Sequence, residues 1–219
     1  MLKRQFLSLL VLLALPLVAC AQGGGEEFVE GTHYEVIATP IRTADPSKIE
    51  VTEFFWYGCG HCYNFEPMIT QWKKTLADDV AFVGSPAAWN KAMELHARAY
   101  YSAQVMGVMD TMHMAIFQAM NVDRQRLGSE DEIAALFAAN GVDEAEFRKT
   151  FNSFGVTSQV NQANARARAA KITGTPAIMV NGKYLVNTRK AGSHAGVLKV
   201  ADFLIEKERA EMANQAALR

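Results

Sequence analysis

The Cys-x-x-Cys pair at residues 59–62 is the feature that most constrains how this chain folds. It stands where an aromatic, strand-like run passes into a helical pattern, in the segment Phe54-Phe55-Trp56-Tyr57-Gly58-Cys59-Gly60-His61-Cys62. A thiol at a helix N-terminus lies near unpaired backbone N–H groups and the positive end of the helix dipole, which favour the thiolate. Two thiols at this spacing can also cycle between dithiol and disulfide. The pair therefore indicates redox chemistry on thiols.

The first residues are typical of a secretory signal. Lys3 and Arg4 precede an apolar run over 6–19, which is too short to span a membrane comfortably. The end of the run fits two patterns. Residues 17–20 resemble a bacterial lipobox, with 1–19 as the signal and Cys20 as the lipidated new N-terminus. Residues 19–21 also fit an ordinary cleavage site, with 1–21 removed. We predict a flexible tether over 20–30, and this tether favours the lipid anchor.

In either case only Cys59 and Cys62 remain as thiols of the exported domain, because the chain has three cysteines in total. Exported proteins often carry structural disulfides. A bridge between these two residues would close a very small loop, which adds less stability than a long one. A reactive role is therefore favoured over a structural one.

Strand and helix patterns indicate an α/β chain. Strand patterns occupy 34–37, 49–57, 80–83, 177–180 and 183–186, and the last two flank Asn181-Gly182, a type I′ hairpin pattern. Helical patterns fill the stretch between, where we expect Phe147, Phe151 and Phe154 to face inward. The order predicts a thioredoxin fold with an inserted α-helical domain. We assign 31–87 and 154–212 to the thioredoxin-like domain and 88–153 to the insertion.

Two segments carry a specific resemblance to the DsbA family of periplasmic thiol:disulfide oxidoreductases. They are residues 53–67 (EFFWYGCGHCYNFEP) and residues 174–184 (GTPAIMVNGKY). The resemblance extends over roughly residues 31–209. It implies that Cys59 is the exposed nucleophile, that Cys62 is the buried resolving thiol, and that the two form the redox-active disulfide.

The resemblance also implies roles for the surrounding residues. His61 would stabilise the Cys59 thiolate. Pro176 would be a cis-proline beside the active site, and the backbone of Thr175 would bind an extended substrate segment. Glu53 matches a buried carboxylate that helps to move the proton of Cys62, and Glu66 matches a second acidic residue near it.

The same resemblance implies the partners and the location. Substrates would be unfolded exported proteins with free thiols, and a DsbB-like membrane quinone reductase would reoxidise the protein. We expect a periplasmic protein, anchored to the membrane if Cys20 is lipidated. No cofactor is expected. We expect a monomer. The segment between Gln22 and Tyr34 has no room for the separate dimerisation domain of dimeric periplasmic isomerases, which argues against an isomerase.

Two other functions stay open. Gly60-His61 between the cysteines and Thr175 before the proline depart from the best-known oxidases of the family and also occur in disulfide isomerases, so an isomerase or reductase is the main alternative. A lipid-tethered module that binds extended peptides without turnover is the second.

Metal and nucleic-acid functions have little support. A structural zinc site needs about four ligands, and the remaining histidines show no paired spacing. A c-type haem site would need histidine at the position of Tyr63. A net charge of −1 provides no basic patch for nucleic acid.

Overall fold

A computed structural model describes residues 27–218. The predicted signal, Cys20 and most of the predicted tether lie outside this range. Within it, no helix is both long enough and apolar enough to cross a membrane.

A five-stranded mixed sheet forms the centre of the fold, in the order β1-β5-β4-β2-β3. β2 and β3 are parallel, and β4 runs antiparallel to both β2 and β5. The strands are β1 (Glu35–Val36), β2 (Ile49–Phe55), β3 (Val80–Pro86), β4 (Ala177–Val180) and β5 (Tyr184–Asn187). This arrangement confirms the predicted thioredoxin fold.

Eight helices surround the sheet in the described part of the chain. Four of them, α2–α5, follow one another between β3 and α6, and we call them the helical block. The helices are α1 (Gly60–Lys73), α2 (Lys91–Val105), α3 (Met109–Asn121), α4 (Glu130–Ala139), α5 (Glu144–Phe151), α6 (Phe154–Ala169), α7 (Thr188–Ala191) and α8 (His194–Ala217).

The central strand β2 is buried along its whole length, because helices cover both faces of the sheet. Successive side chains point to opposite faces. Val51 packs with α1 and α8, and Phe54 packs on the other face with residues of α6. Full burial of each such side chain contributes about 1.5–3 kcal/mol. The strand thus fixes the start of α1, which carries the cysteines.

The turn between β4 and β5 confirms the hairpin prediction. Asn181 and Gly182 have φ values of 49° and 64°, as a type I′ turn requires. A Cβ on Gly182 would lie 1.9 Å from the carbonyl oxygen of Ile41. The close approach of the segment that contains Ile41 therefore also requires glycine at position 182.

The prediction that Phe154 faces inward is wrong. Phe147 and Phe151 are buried, but Phe154 is 87% exposed. The helical spacing does not extend this far, because α5 ends at Phe151 and Ser153 caps a new helix. The Ser153 hydroxyl accepts a hydrogen bond from the N–H of Val156.

Candidate active site

Cys59 is the N-cap residue of α1, at the point where the segment after β2 turns into the helix. Its φ and ψ are −92° and 109°, and its Sγ accepts a hydrogen bond from the N–H of Cys62 across 3.3 Å. Cys59 is half-buried, whereas Cys62 is buried, and both are free thiols. The outer sulfur can therefore meet a partner protein, and the inner sulfur cannot.

The surroundings of Cys59 favour its thiolate. The hydrogen bond with the Cys62 thiol is the largest cause, and burial opposes it. Contact with Thr175 and the backbone N–H groups of Cys62 and His61 add to the effect, and together they lower the pKa of Cys59 to about 5. At neutral pH the thiol is ionised, which makes it both a nucleophile and a good leaving group.

Cys62 has the opposite character. Burial raises its pKa far above the ordinary value, and the hydrogen bond and negative charge of Cys59 raise it further. A proton must therefore reach Cys62 whenever the disulfide is reduced, and it must leave when the disulfide forms again.

The loop before β4 lies against the cysteines. The Thr175–Pro176 peptide bond is cis, and the carbonyl oxygen of Thr175 lies 3.4 Å from the Sγ of Cys59. A cavity of about 600 Å³ borders this loop and is lined in part by Lys171 and Arg189. The loop thus places backbone polar groups beside the exposed thiol.

His61 acts on Cys59 through its backbone. Its N–H group helps to lower the pKa of Cys59, and its side chain is exposed. The ring lies edge-on to His194, with 6.3 Å between the centroids. His194, the first residue of α8, packs on Phe65 of α1. Burial, and then the charge of His61, lower the pKa of His194. The stabilising role predicted for the His61 imidazole stays a prediction.

Glu53 is buried in β2 beneath α1, with 3% of its surface exposed. Its Oε1 has no hydrogen-bond partner among residues 27–218. Burial is the main reason that its pKa rises to about 8. The charges of Glu66 and Cys59 raise it further, and Lys73 opposes them. Glu53 therefore keeps a proton at neutral pH, within electrostatic reach of Cys59.

Glu66 in α1 is also buried, with 2% of its surface exposed, but its pKa is lowered rather than raised. Burial raises its pKa, but contacts with His113, Thr70 and Lys73 outweigh burial and bring the pKa below its ordinary value. Its Oε1 accepts a hydrogen bond from the Thr70 hydroxyl across 2.8 Å, and its Oε2 lies 3.2 Å from the Nε2 of His113. The two buried carboxyls thus differ in charge: Glu66 is ionised and Glu53 is protonated.

Comparison with known proteins decides the family. The sequence profile of the DSBA-like thioredoxin domain matches residues 78–194. The thiol:disulfide interchange protein DsbA of Pseudomonas aeruginosa is 40% identical over 185 residues, which cover 84% of this chain and 88% of the relative. That of Azotobacter vinelandii is 41% identical over 179 residues, which cover 82% and 84%. The chain belongs to the DsbA family.

Solved DsbA structures have the same fold. The crystal structure of P. aeruginosa DsbA matches with a TM-score of 0.82 at 40% identity, covering 85% of this chain and 97% of that one. Reduced DsbA1 from Neisseria meningitidis matches with a TM-score of 0.76 at 26% identity, covering 85% and 98%. This DsbA-family protein is a protein thiol:disulfide oxidoreductase.

The helical block supplies contacts to the active site that the sequence did not reveal. Asn121, the last residue of α3, donates from Nδ2 to the carbonyl oxygen of Tyr57 across 2.8 Å. The Oη of Tyr57 lies 2.8 Å from the Nδ1 of His113. The indole N–H of Trp56 donates to the Nδ1 of His96 across 2.9 Å. The block therefore holds the segment that leads into the cysteines.

Proposed function

We propose that this DsbA-family protein introduces disulfide bonds into exported proteins through Cys59 and Cys62. The observation that carries the proposal is the unequal acidity of the two thiols. Cys59 is half-buried and its pKa is lowered to about 5, whereas Cys62 is buried and its pKa is raised. Such a pair has a stable reduced state, and its disulfide is therefore oxidising.

The reaction starts from the Cys59–Cys62 disulfide. A substrate thiolate attacks the Sγ of Cys59, an S–S bond forms between substrate and protein, and Cys62 leaves and takes a proton. A second substrate thiolate then attacks the substrate sulfur of this mixed disulfide, and Cys59 leaves as a thiolate. The substrate loses two electrons and gains a disulfide, and the cysteine pair gains the two electrons.

Thr175 and Pro176 are proposed to hold the substrate during this exchange. The backbone polar groups of Thr175 lie beside Cys59, and the adjacent cavity of about 600 Å³ has room for an extended segment. Backbone hydrogen bonds bind a strand with little regard to its side chains. This suits a protein that acts on many unfolded clients.

The proposed setting follows from the family. Substrates are unfolded exported proteins with free thiols, and the protein acts in the periplasm as a monomer. A DsbB-like membrane quinone reductase returns the Cys59–Cys62 pair to the disulfide. Cys20, if lipidated, anchors the protein to the membrane, and mass spectrometry of the mature N-terminus tests this point.

Oxidised protein mixed with a reduced, unfolded protein that has several cysteines tests the main proposal. Disulfides should form faster than in buffer. Cys59→Ser should abolish the reaction. Cys62→Ser, mixed instead with a substrate that contains a disulfide, should accumulate mixed disulfides at Cys59, because the thiol that would release the substrate is missing. No acceleration by the wild-type protein would remove the proposal. An unchanged cellular role after Cys59→Ser would favour the peptide-binding module instead.

The isomerase alternative rests on Gly60-His61 and Thr175, and the equilibrium with glutathione separates it from the oxidase. Each tenfold change in that equilibrium corresponds to about 1.4 kcal/mol or about 30 mV. An oxidase requires a potential well above that of the glutathione pool, whereas a strongly reducing potential would support the alternative.

A further inference from the structure

The cavity of about 600 Å³ beside the loop before β4 carries a concentration of positive charge. Its lining includes three cations and one carboxylate, which are Lys171, Arg189, Lys190 and Glu35. The whole chain has a net charge of −1, so this local excess of cations does not follow from a basic composition. The proposed function uses only the backbone groups at the edge of the cavity, and the purpose of its charged side chains is unassigned.

Two of the three cations are available to a ligand. The Nζ of Lys190 lies 3.3 Å from Oε1 of Glu35, and it also donates to the carbonyl oxygen of Gly31. Lys171 and Arg189 are exposed, and within residues 27–218 neither side chain has an ion-pair or hydrogen-bond partner. Glu35 therefore neutralises Lys190, and the charges of the other two cations are left to attract an anion.

The cavity lies beside the reactive thiol. Thr175 lines it, and the carbonyl oxygen of Thr175 lies 3.4 Å from Sγ of Cys59. Ala177, which also lines the cavity, pairs with Asn187 of β5, and Arg189 follows two residues later. Neighbouring strands are about 4.8 Å apart, and an extended chain rises about 3.3 Å per residue. A client segment that leaves Cys59 along the cavity therefore reaches the cations within about four residues.

Lys171 stands at a position where the backbone alone would favour another residue. It follows the end of α6 with a φ of 53°. Its N–H donates to the carbonyl oxygen of Arg168, and the N–H of Ile172 donates to that of Ala167. This helix end is a Schellman motif, in which glycine is usual because glycine adopts a left-handed φ without steric cost. The helix end therefore does not account for a lysine here, whereas the cavity that its side chain lines does.

We propose that Lys171 and Arg189 form a subsite for acidic side chains, so that the protein reacts preferentially with client segments that carry Asp or Glu within about four residues of the reacting cysteine. The inference rests on the proposed function and names a substrate class for it. The backbone of Thr175 binds a client strand with little regard to its sequence. The two cations add a preference, because carboxylates pair with Lys and Arg and a positive surface attracts acidic segments before contact.

The first test uses three unfolded peptides, each with two cysteines. They differ only at the second and fourth residues on each side of the first cysteine, which are all Glu in the acidic peptide, all Gln in the neutral peptide and all Lys in the basic peptide. Stopped-flow measurements give the rate constant for oxidation of each peptide by the disulfide form of the protein. We call the rate constant of the acidic peptide divided by that of the neutral peptide the charge preference. The intrinsic reactivity of each peptide thiol cancels when this ratio is compared between protein variants.

We expect the charge preference at low ionic strength to be about fivefold higher in the wild type than in the double variant Lys171→Gln/Arg189→Gln, because two exposed ion pairs are lost. In about 1 M salt, where charges are screened beyond about 3 Å, the wild-type value should approach that of the double variant. The control is Lys74→Gln, which also removes an exposed cation. Lys74 follows the far end of α1, about 20 Å from Cys59 along the helix, and should leave the charge preference at the wild-type value.

Charge reversal separates recognition from a merely structural role. Arg189→Glu should oxidise the basic peptide faster, relative to the neutral peptide, than the wild type does, and the acidic peptide more slowly. A structural defect would slow all three peptides by the same factor, and this result would overturn the proposal.

Two further results would also overturn it. One is an equal charge preference in the wild type and the double variant, and the other is an equal fall in Lys74→Gln, which would show that only net charge matters. The proposed function has a separate failure, because a wild-type protein that oxidises none of the three peptides contradicts that function itself. If all three are oxidised but their relative rates do not depend on Lys171 or Arg189, this inference alone fails.

Discussion

The indole N–H of Trp56 donates to the Nδ1 of His96 across 2.9 Å and so joins the segment before the cysteines to the helical block. The Nε2 of the same ring lies within 3.2 Å of the carbonyl oxygens of Arg126 and Leu127. His96 is 2% exposed, and burial lowers its pKa. A neutral ring satisfies all three partners, because Nδ1 accepts and Nε2 donates.

His96 makes the stability of the protein depend on pH. Because its pKa is lower in the folded than in the unfolded state, the unfolded chain binds the proton first, and stability is lost as pH falls below about 6.5. We expect His96→Gln to lose about 1–3 kcal/mol of unfolding free energy at neutral pH, since buried partners stay unpaired. Urea unfolding should show the difference in unfolding free energy between the wild type and His96→Gln becoming smaller as pH falls toward about 5. An advantage that stays constant with pH would contradict the argument.

Glu53 should make the free energy of unfolding change with pH in the opposite direction to His96. Its pKa rises from 4.5 to about 8 on folding, so the folded state holds a proton that the unfolded state has lost. Stability therefore falls as pH rises through this window, by up to about 1.4 kcal/mol per pH unit. Glu53→Gln removes this dependence, and it should gain stability relative to the wild type between about pH 5 and 8.

The same variant should be slow as an enzyme, because an amide cannot give its proton to Cys62. The measurement is a pair of urea unfolding series together with single-turnover reduction. Glu50→Gln is a useful comparison, since Glu50 is also buried in β2 but its carboxylate accepts hydrogen bonds from Thr52 and from the backbone of Ala44. A Glu53→Gln variant that is both fast and no more stable at high pH would show that the carboxyl has neither effect.

Local patterns were sufficient for most of the fold. The Asn181-Gly182 turn and the strand over 177–180 were predicted at their observed positions, because a tight turn and a buried strand depend on neighbouring residues. The four-residue helix α7 was missed, since so short a segment has no periodicity to detect. Phe154 was misplaced because the Ser153 cap interrupts the helical spacing that the aromatic residues seemed to continue.

The residues of the candidate site likewise fall into those that local patterns predict and those that they do not. Cys59, Cys62 and Pro176 stand in motifs that are readable along the chain, and the structure brings all three to one end of α1. His96, His113 and Asn121 contact the active-site segment from 40, 56 and 64 residues away. No local pattern distinguishes such residues from ordinary helix-surface or core positions, because their partners are set only by how the helical block packs on the sheet.

The lowered pKa of Cys59 predicts how the reduced and the disulfide form of the protein differ in stability. The pKa of its thiol is lower in the folded reduced protein than in the unfolded chain. It therefore contributes stability that is present above the unfolded pKa of about 8.5 and is lost as pH falls toward about 5. The disulfide form has no such group. We expect the unfolding free energy of the reduced protein, minus that of the oxidised protein, to decrease on acidification over this range.

Urea unfolding of both forms at a series of pH values measures this difference. In Cys59→Ser and in alkylated protein the reduced-state dependence should disappear. A difference that is independent of pH would show that the folded protein does not hold Cys59 as a thiolate, and the oxidising character inferred from it would no longer follow.

Asn121 provides a test of how the helical block supports the active site. Its Nδ2 donates both to the carbonyl oxygen of Phe117, four residues earlier, and to that of Tyr57, each across 2.8 Å. Asn140 makes the first kind of bond, to the carbonyl oxygen of Leu136, but it is exposed and its amide has no contact with the active-site segment. We expect Asn121→Ala to lose about 1–3 kcal/mol, and Asn140→Ala at most about 0.5 kcal/mol.

Titration of the Cys59 thiol should separate the two variants further. Loss of the Asn121 bond leaves the Tyr57 carbonyl without this donor, two residues before Cys59, so the start of α1 is less well fixed. The thiolate absorbance of Cys59 should then titrate at a higher pH in Asn121→Ala, because misaligned backbone N–H groups stabilise the anion less. Asn140→Ala should titrate as the wild type does. Equal titrations in all three proteins would mean that the β2–α1 turn holds its geometry without the helical block.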